Sequence, residues 1–481
     1  MQKTVNIFFN KDRHTGRLLV NIGHIYFIFM LLLSILLYQE RMLSMDTAYY
    51  TFRVLLNTDF YTGHDRTISY IPQILPILAL KMGCSLKTFL IVYSASFILF
   101  YYMVYNIIVY VFKNPQAALF LALALGLSIR YKFYGPVGEV VLSIPLLALL
   151  AGWLSKPKEY FKNLNPWLDT LIGCGLATLL TTGHPFITIG TAIFLGFHLL
   201  YHKKWTNIPF WVTSIYTGGL LYYKFIFVQR DAYETERIDR LAEAGKVLYN
   251  LDDYYITEVV ARFFSTDYFL AFAAFIAVLV VLFINRRWLI AIYMSISFLV
   301  VLAVVVVMHA YISSDIFIML DGYMAHLGLV WAIPLAFVFG KENKPWIALS
   351  FAVLMAFSLF KIYNSHTFFS ERIEYLKTAM AEHTDAAHPK AIASRKNYNY
   401  DKLWIGWAMA LETLMISSID DPDQSRTIYL SHHEGKWDDR LDEGNLFLNV
   451  YFGPESVKQK WLPKQFFHLP ELPYRKIELE E

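Results

Sequence analysis

Long apolar stretches separated by short polar ones make up most of the chain. A helix needs about 20 residues to cross the roughly 30 Å hydrocarbon layer of a membrane. Several stretches are shorter, so flanking polar residues are predicted to extend those helices, or the membrane is thinner around them. We predict an all-α polytopic membrane protein with about 11 transmembrane helices. The predicted spans are residues 18–38, 89–112, 115–129, 140–154, 167–180, 185–201, 208–228, 269–285, 288–308, 324–340 and 346–360.

Two apolar segments are predicted not to cross the membrane. Segment 70–82 is short and contains Pro72 and Pro76, so we expect it to lie on the outer leaflet or to dip into it. Segment 403–416 is also short and carries Glu412, which favours a buried or interfacial helix. The first stretch, in contrast, is too long for a signal-peptide core and lacks a cleavage pattern, so we predict a retained span.

Basic residues of the short loops fall almost entirely on one side of these spans. The opposite short loops carry only Arg130 and Lys132. By the positive-inside rule the basic side is cytoplasmic, which puts the N-terminus inside and the C-terminus outside. The basic side holds Lys3, Lys11, Arg13, Arg17, Lys113, Lys156, Lys158, Lys162, Lys203, Lys204, Arg286, Arg287, Lys341 and Lys344.

This topology predicts two parts. Residues 1–363 form a transmembrane domain with a long first outer loop, 39–87, and a second outer loop, 229–268. Residues 364–481 form a small C-terminal domain that is extracytoplasmic and mostly helical. The expected location is the bacterial inner membrane rather than a eukaryotic endomembrane.

Composition excludes several classes of protein. The 481 residues are 56% hydrophobic and 17% charged, with a mean hydropathy of +0.41, which is too apolar for a soluble domain. A net charge of +3 without a dense basic run argues against a nucleic-acid partner. Cys84 and Cys174 are the only cysteines, so a disulfide framework is excluded.

Ionisable residues near the ends of the spans collect on the predicted outer side. A transporter would more often show charges near the midplane of the membrane and two related halves. The distribution therefore points to chemistry at the outer interface. These residues are Asp46, His64, Asp65, Arg66, Arg130, Lys132, Glu139, His184, His309, Asp315 and Asp321.

One combination of features carries a resemblance to a known family. Asp46 follows the first span by eight positions in the sequence DTAYYTFR, and a long outer loop with a proline-containing interfacial segment comes next. This arrangement resembles the integral-membrane glycosyltransferases of the GT-C superfamily. The resemblance implies transfer of a sugar from a polyprenyl-phosphate carrier to an acceptor glycan, lipid or protein, with Asp46 at the active site and Asp65 as a second candidate. Thr47 replaces the adjacent acid of some members, which leaves open whether a divalent cation takes part.

The residue types suit that chemistry. Asp46 can act as the general base that accepts the proton of the acceptor hydroxyl. Arg130 and Lys132 lie at headgroup depth, where they can bind the phosphate of the leaving group. Glu139, His184, His64 and Arg66 complete the predicted substrate-binding set.

Each of these residues also has a structural interpretation. Asp46 can cap a helix, Asp65 can pair with Arg66, and Arg130 and Lys132 can anchor the chain at the interface. His184 can belong to a tight Gly-His-Pro turn, and Glu139 can belong to a structural ion pair.

Alternative functions are a membrane-bound O-acyltransferase, with His24 or His198 as its catalytic histidine, a lipid or solute transporter or flippase, and a structural component that binds a partner. Convergence of Asp46, Asp65, Arg130 and Lys132 in one outer cavity would favour the transferase.

Overall fold

The computed structural model describes residues 11–63, 66–227, 235–236, 239–311, 317–341, 344–394, 400–431, 433, 435–449 and 456–477. The chain is largely helical and forms a bundle with a small mixed domain at its C-terminus. The bundle helices are α1 Lys11–Leu36, α2 Tyr38–Met42, α3 Met45–Asn57, α4 Tyr70–Lys81, α5 Leu86–Asn106, α6 Pro115–Ser128, α7 Glu139–Leu154, α8 Pro166–Leu180, α9 Ile187–His202, α10 Ile208–Phe227, α11 Ala244–Tyr249, α12 Tyr255–Ser265, α13 Phe269–Ile284, α14 Trp288–Met308, α15 Phe317–Val338 and α16 Pro345–Asn364.

Every predicted span is helical, but fewer helices than predicted are long and apolar enough to cross a membrane. Five described segments qualify: Arg17–Leu36, Leu86–Val111, Trp288–Met308, Met324–Lys341 and Pro345–His383. A sixth arises if α12 and α13, which meet at 76°, form one broken span. The protein is thus a helical membrane protein, and the predicted count of about 11 is not reached by length and composition. Helices α6 to α9 have only 14 to 16 residues, or about 21–24 Å.

Helix α6 forms the centre of the bundle. Every residue from Ala117 to Ser128 is buried, and the helix packs most extensively against α15. Small residues let the two backbones approach, since a Cβ at Gly328 would overlap with the side chain of Ser128. A short helix that is apolar all round is stable here because protein, rather than lipid, surrounds it.

Helix α4 is the first of the two segments predicted not to cross the membrane. Its 12 residues span about 18 Å, too little for a full crossing, and it packs back along the start of α5 after a tight turn at Gly83. Ile74 and Leu78 remain exposed on a helix of apolar composition. Of the two predicted arrangements, a helix that dips beside a spanning helix suits this packing better.

Helix α16 leads through Ser365 into α17, His366–His383, so the predicted domain boundary at residue 364 lies inside one helical rod. The C-terminal domain adds α18 Tyr400–Leu403, α19 Met409–Ser418 and the strands β1 Lys390–Ser394, β2 Thr427–Ser431, β3 Leu446–Leu448, β4 Ser456–Lys458 and β5 Arg475–Ile477.

Two small sheets distinguish this domain from the predicted mostly helical one. Strands β2, β1 and β5 form a parallel sheet, and β3 pairs antiparallel with β4. Strands β1, β2 and β3 are buried on both faces and show no alternation of apolar and polar positions, so the sequence pattern does not indicate them. Helix α19 packs on β2 and, at 10 residues, is a domain helix rather than a twelfth span.

The C-terminal domain contacts the first predicted outer loop at several points. Ser370 donates a hydrogen bond to Glu40 over 2.8 Å, and Lys87 forms a 3.1 Å ion pair with Asp420. Gln465 donates to the carbonyl of Cys84 over 2.9 Å. Residues 39–87 and the C-terminal domain therefore lie at the same end of the bundle.

Cysteine labelling can assign the faces. In a background in which Cys84 and Cys174 are replaced by serine, we expect an impermeant maleimide to label Lys460→Cys, but not Glu159→Cys, in sealed right-side-out vesicles. Both positions are exposed, and the positive-inside rule puts them on opposite faces. Permeabilised vesicles provide the control, because both positions should then react. Labelling of Glu159→Cys alone in sealed vesicles would reverse the topology.

Candidate functional site

Asp46 lies in the first turn of α3, where its side chain is exposed. The preceding residue, Met45, has a positive φ of 48°, and its backbone N–H donates to Glu412 of the C-terminal domain over 2.6 Å. The start of α3 is therefore fixed by the C-terminal domain. A carboxylate at a helix N-terminus interacts favourably with the helix dipole, so Asp46 also stabilises α3.

The face of α3 that carries Asp46 also contacts a later part of the first outer loop. Tyr50 lies one turn further on the same face, and its hydroxyl packs so closely on Gly63 that a Cβ there would overlap with it. Arg66 follows shortly after Gly63 and is buried. The two parts of the loop that carry predicted site residues thus pack together. His64 and Asp65, between them, lie outside the described residues.

Arg66 adjoins the hairpin that carries His184. The backbone N–H of Ile68 donates to the carbonyl of Thr182 over 3.4 Å, and Lys224 of α10 donates to the carbonyls of Thr181 and Gly183. This packing brings the cations of Arg66 and Lys224 to one edge of the hairpin.

The His184 ring is oriented by its own turn. Its Nδ1 accepts the N–H of Phe186 over 3.1 Å, which leaves the proton of a neutral ring on Nε2. The backbone N–H of His184 donates to Ser143 Oγ of α7 over 2.8 Å. The hairpin is therefore tied to the first turns of α7, the helix that begins at Glu139.

Arg130 is held by an acidic partner. Its guanidinium forms an ion pair with Asp267 and donates from Nε to Ser365 Oγ over 3.0 Å. It also lies 4.2 Å from the centroid of the Tyr131 ring. This geometry fits the structural interpretation of Arg130 at least as well as a role in phosphate binding.

Lys132 has a different environment. Its side chain runs past Gly138 and Gly322, since a Cβ at Gly322 would lie 2.5 Å from Lys132 Cε. Among the described side chains no carboxylate pairs with its ammonium group. Of the two predicted phosphate ligands, Arg130 is the one that a described carboxylate holds.

A buried polar group supports the backbone of Lys132. Asp321 of α15 is fully buried and accepts the N–H of Lys132 over 3.1 Å as well as the hydroxyl of Tyr268. Lys361 Nζ lies 4.1 Å from the centroid of the Tyr268 ring. A side chain at position 322 would therefore shift the end of the Lys132 side chain, and loss of Asp321 would remove the acceptor of its backbone N–H.

The structure brings most of the predicted site residues to one end of the bundle. Arg66, His184 and Lys132 surround the start of α7, and Arg130 lies two residues from Lys132. Glu139 begins α7, but its side chain, like Asp315, lies outside the described structure. Asp46 lies one helical turn before Tyr50, whose hydroxyl packs on Gly63 of the same loop.

Sequence reasoning missed Asp267 and Lys361 and gave no role to Asp321 or Lys224. Asp267 pairs with Arg130 across 137 positions, and no local pattern reveals such a pairing. A weak signal existed for Lys224, because a lysine inside an apolar stretch needs a buried partner.

In the described part of the chain, no three His, Cys, Asp or Glu side chains are grouped so as to hold a metal ion. Comparison of the chain with known protein families, with characterised proteins and with solved structures found no match.

Proposed function

We propose that this protein is a GT-C-like glycosyltransferase, which moves a sugar from a polyprenyl-phosphate carrier to an acceptor at the outer face of the membrane. Asp46 is the general base, and Lys132 binds the phosphate of the donor. One observation carries the proposal: an exposed carboxylate, fixed at the start of α3, opens a loop that packs at the same end of the bundle as Arg66, His184 and Lys132.

The balance of charge around the start of α7 favours an anionic substrate. Five cations there outnumber the acids, which are Asp267, Asp321 and Glu139, the residue that begins α7. A polyprenyl phosphate gains negative charge as it leaves, and preorganised cations stabilise that charge. The cations are Arg66, Arg130, Lys132, Lys224 and Lys361.

The reaction is a substitution at the anomeric carbon. The acceptor hydroxyl gives its proton to Asp46, and its oxygen forms a bond to that carbon. The bond from the carbon to the phosphate oxygen breaks, and the phosphate leaves with the electron pair beside Lys132. The acceptor, whether glycan, lipid or protein, reaches the site from the face that carries the C-terminal domain.

Lys132→Ala tests the phosphate contact. A charge-assisted hydrogen bond contributes about 1.5–3 kcal/mol, so KM for the donor should rise about 10- to 100-fold while the base remains intact. The measurement is release of polyprenyl phosphate from synthetic polyprenyl-phosphate hexoses and pentoses by protein in lipid, with membrane extract as the source of acceptor.

Lys81→Ala is the matched control, since Lys81 is an exposed lysine at the end of α4. An equal rise in KM in both variants would exclude the proposed role of Lys132 in phosphate binding. Wild-type protein that turns over none of these donors would favour transport instead.

A further inference from the structure

A cavity lies at the opposite end of the bundle from Asp46. It has a volume of about 330 Å³ and lies between the end of α7, the start of α8 and the turn from α9 to α10. Four lysines and one aspartate contribute its charged lining: Lys156, Lys158, Lys162, Lys204 and Asp169.

Only one of the four lysines is neutralised by a carboxylate. Lys156 forms a 2.5 Å ion pair with Asp169, and its ammonium group also lies 4.1 Å from the centroid of the Trp153 ring. Among the described side chains, no carboxylate forms an ion pair with Lys158, Lys162 or Lys204. Burial lowers the pKa of Lys204, the charges of Lys158 and Lys156 lower it further, and the charge of Asp169 opposes the shift in part, as expected where several like charges converge near one acid.

Two helices begin at this cavity. Asn165 caps α8 by accepting the N–H of Trp167 over 2.9 Å, and Asn207 accepts the N–H of Phe210 over 2.8 Å at the start of α10. The partial positive charge of each helix N-terminus adds to that of the lysines. The cavity therefore has the electrostatics of an anion site.

Exposed aromatic and aliphatic side chains lie next to the lining residues in the sequence. Trp167 is 83% exposed and Ile208 73%, and Trp205 and Trp211 are joined by a 2.9 Å hydrogen bond from the Trp211 indole N–H to the Trp205 carbonyl. Tryptophans concentrate at the membrane interface. The entrance thus lies at the depth of lipid headgroups rather than in bulk water.

We propose that this cavity binds the phosphate of an anionic lipid headgroup, with Lys158, Lys162 and Lys204 as its ligands. The lining is on the face that the positive-inside rule assigns to the cytoplasm, where basic pockets between helices bind anionic headgroups. The site is independent of the chemistry at Asp46.

Native mass spectrometry of the purified full chain, titrated with dioleoyl-phosphatidylglycerol or dioleoyl-phosphatidylcholine, tests this proposal. The triple variant Lys158→Gln, Lys162→Gln, Lys204→Gln should bind phosphatidylglycerol on the order of 100-fold more weakly, because each lysine beside a headgroup changes binding about fivefold. The control variant, Lys113→Gln, Arg286→Gln, Lys344→Gln, removes as many cations from the same face and should bind like wild type.

Two single variants keep the test decisive if the triple variant folds poorly. Lys204→Gln should weaken phosphatidylglycerol binding about fivefold. Asp169→Asn removes the one carboxylate among the described lining residues and should strengthen binding. A purely structural role for these residues does not predict opposite signs.

Inorganic phosphate separates the two sources of the anion. Suppose that phosphate alone raises the midpoint of thermal unfolding of wild type but not of the triple variant, and that the two lipids bind equally. The ligand is then a soluble anion, and the lipid proposal is overturned. Equal binding of phosphatidylglycerol by the triple and control variants would overturn the site itself. The lipid proposal is supported if wild type and the control variant prefer phosphatidylglycerol, the triple variant loses this preference, and phosphate has no effect.

Discussion

Replacing Arg372 with methionine is expected to destabilise the protein by about 3–5 kcal/mol, the usual cost of removing one partner from a buried ion pair. Arg372 and Glu412 are both fully buried, and the pair is joined by bonds of 2.6 and 3.3 Å. Arg372 also donates to the carbonyl of Leu403. The variant would leave the Glu412 carboxylate buried without its counter-charge, which is why the cost exceeds that of a lost surface contact.

The measurement is the midpoint of thermal unfolding of detergent-purified variants, compared with wild type. Lys377→Met, on the exposed side of α17, is the matched control, since its 2.8 Å pair with Glu374 is exposed and should contribute less than about 1 kcal/mol. The double variant Arg372→Met, Glu412→Leu removes both charges and should recover most of the loss. An Arg372→Met midpoint equal to that of Lys377→Met would contradict the prediction.

The same pair connects the C-terminal domain to the candidate active site. Glu412 accepts the N–H of Met45, whose left-handed backbone costs on the order of 1 kcal/mol or more and persists only where neighbours fix it. The double variant restores packing but leaves Met45 without this acceptor. We therefore expect it to be stable and yet less active than wild type. Full activity would show that the C-terminal domain does not position α3.

The sequence was informative about helices because their signal is local. Each predicted apolar stretch is helical, including α6, whose burial on all sides follows from its uniform composition. Whether such a helix crosses lipid depends on what surrounds it, and no local pattern contains that information. The strands β1 and β2 were missed for a related reason, since five buried residues fit a strand or part of a helix equally well.

In the candidate site, too, local features were predictable and long-range contacts were not. Arg66, Lys132 and His184 were predicted from their positions near the ends of spans, and those ends do lie together. The partner of Arg130 was not predictable, because Asp267 follows it by 137 positions and only the folded bundle joins them. The support of Lys132 by Asp321 likewise depends on the packing of α15 beside the turn Tyr131–Phe133.

Replacing Asp46 with asparagine is expected to lower turnover by a factor on the order of 100 to 10,000, the contribution typical of general-base catalysis. Asparagine keeps the shape of the side chain but cannot accept the proton of the acceptor hydroxyl. Because Asp46 is exposed at a helix N-terminus, loss of its charge should cost at most about 1 kcal/mol of stability. The midpoint of thermal unfolding should therefore change little.

Asp59→Asn is the matched control, because Asp59 is an exposed acid in the same loop that accepts the N–H of Phe60 over 2.7 Å. Both variants remove one negative charge from one loop, so a general electrostatic effect on an anionic donor would raise the activity of both alike. A catalytic base predicts a loss of kcat in Asp46→Asn alone, with KM for the donor nearly unchanged. Normal turnover in Asp46→Asn would exclude the proposed role and leave the carboxylate as a stabiliser of α3.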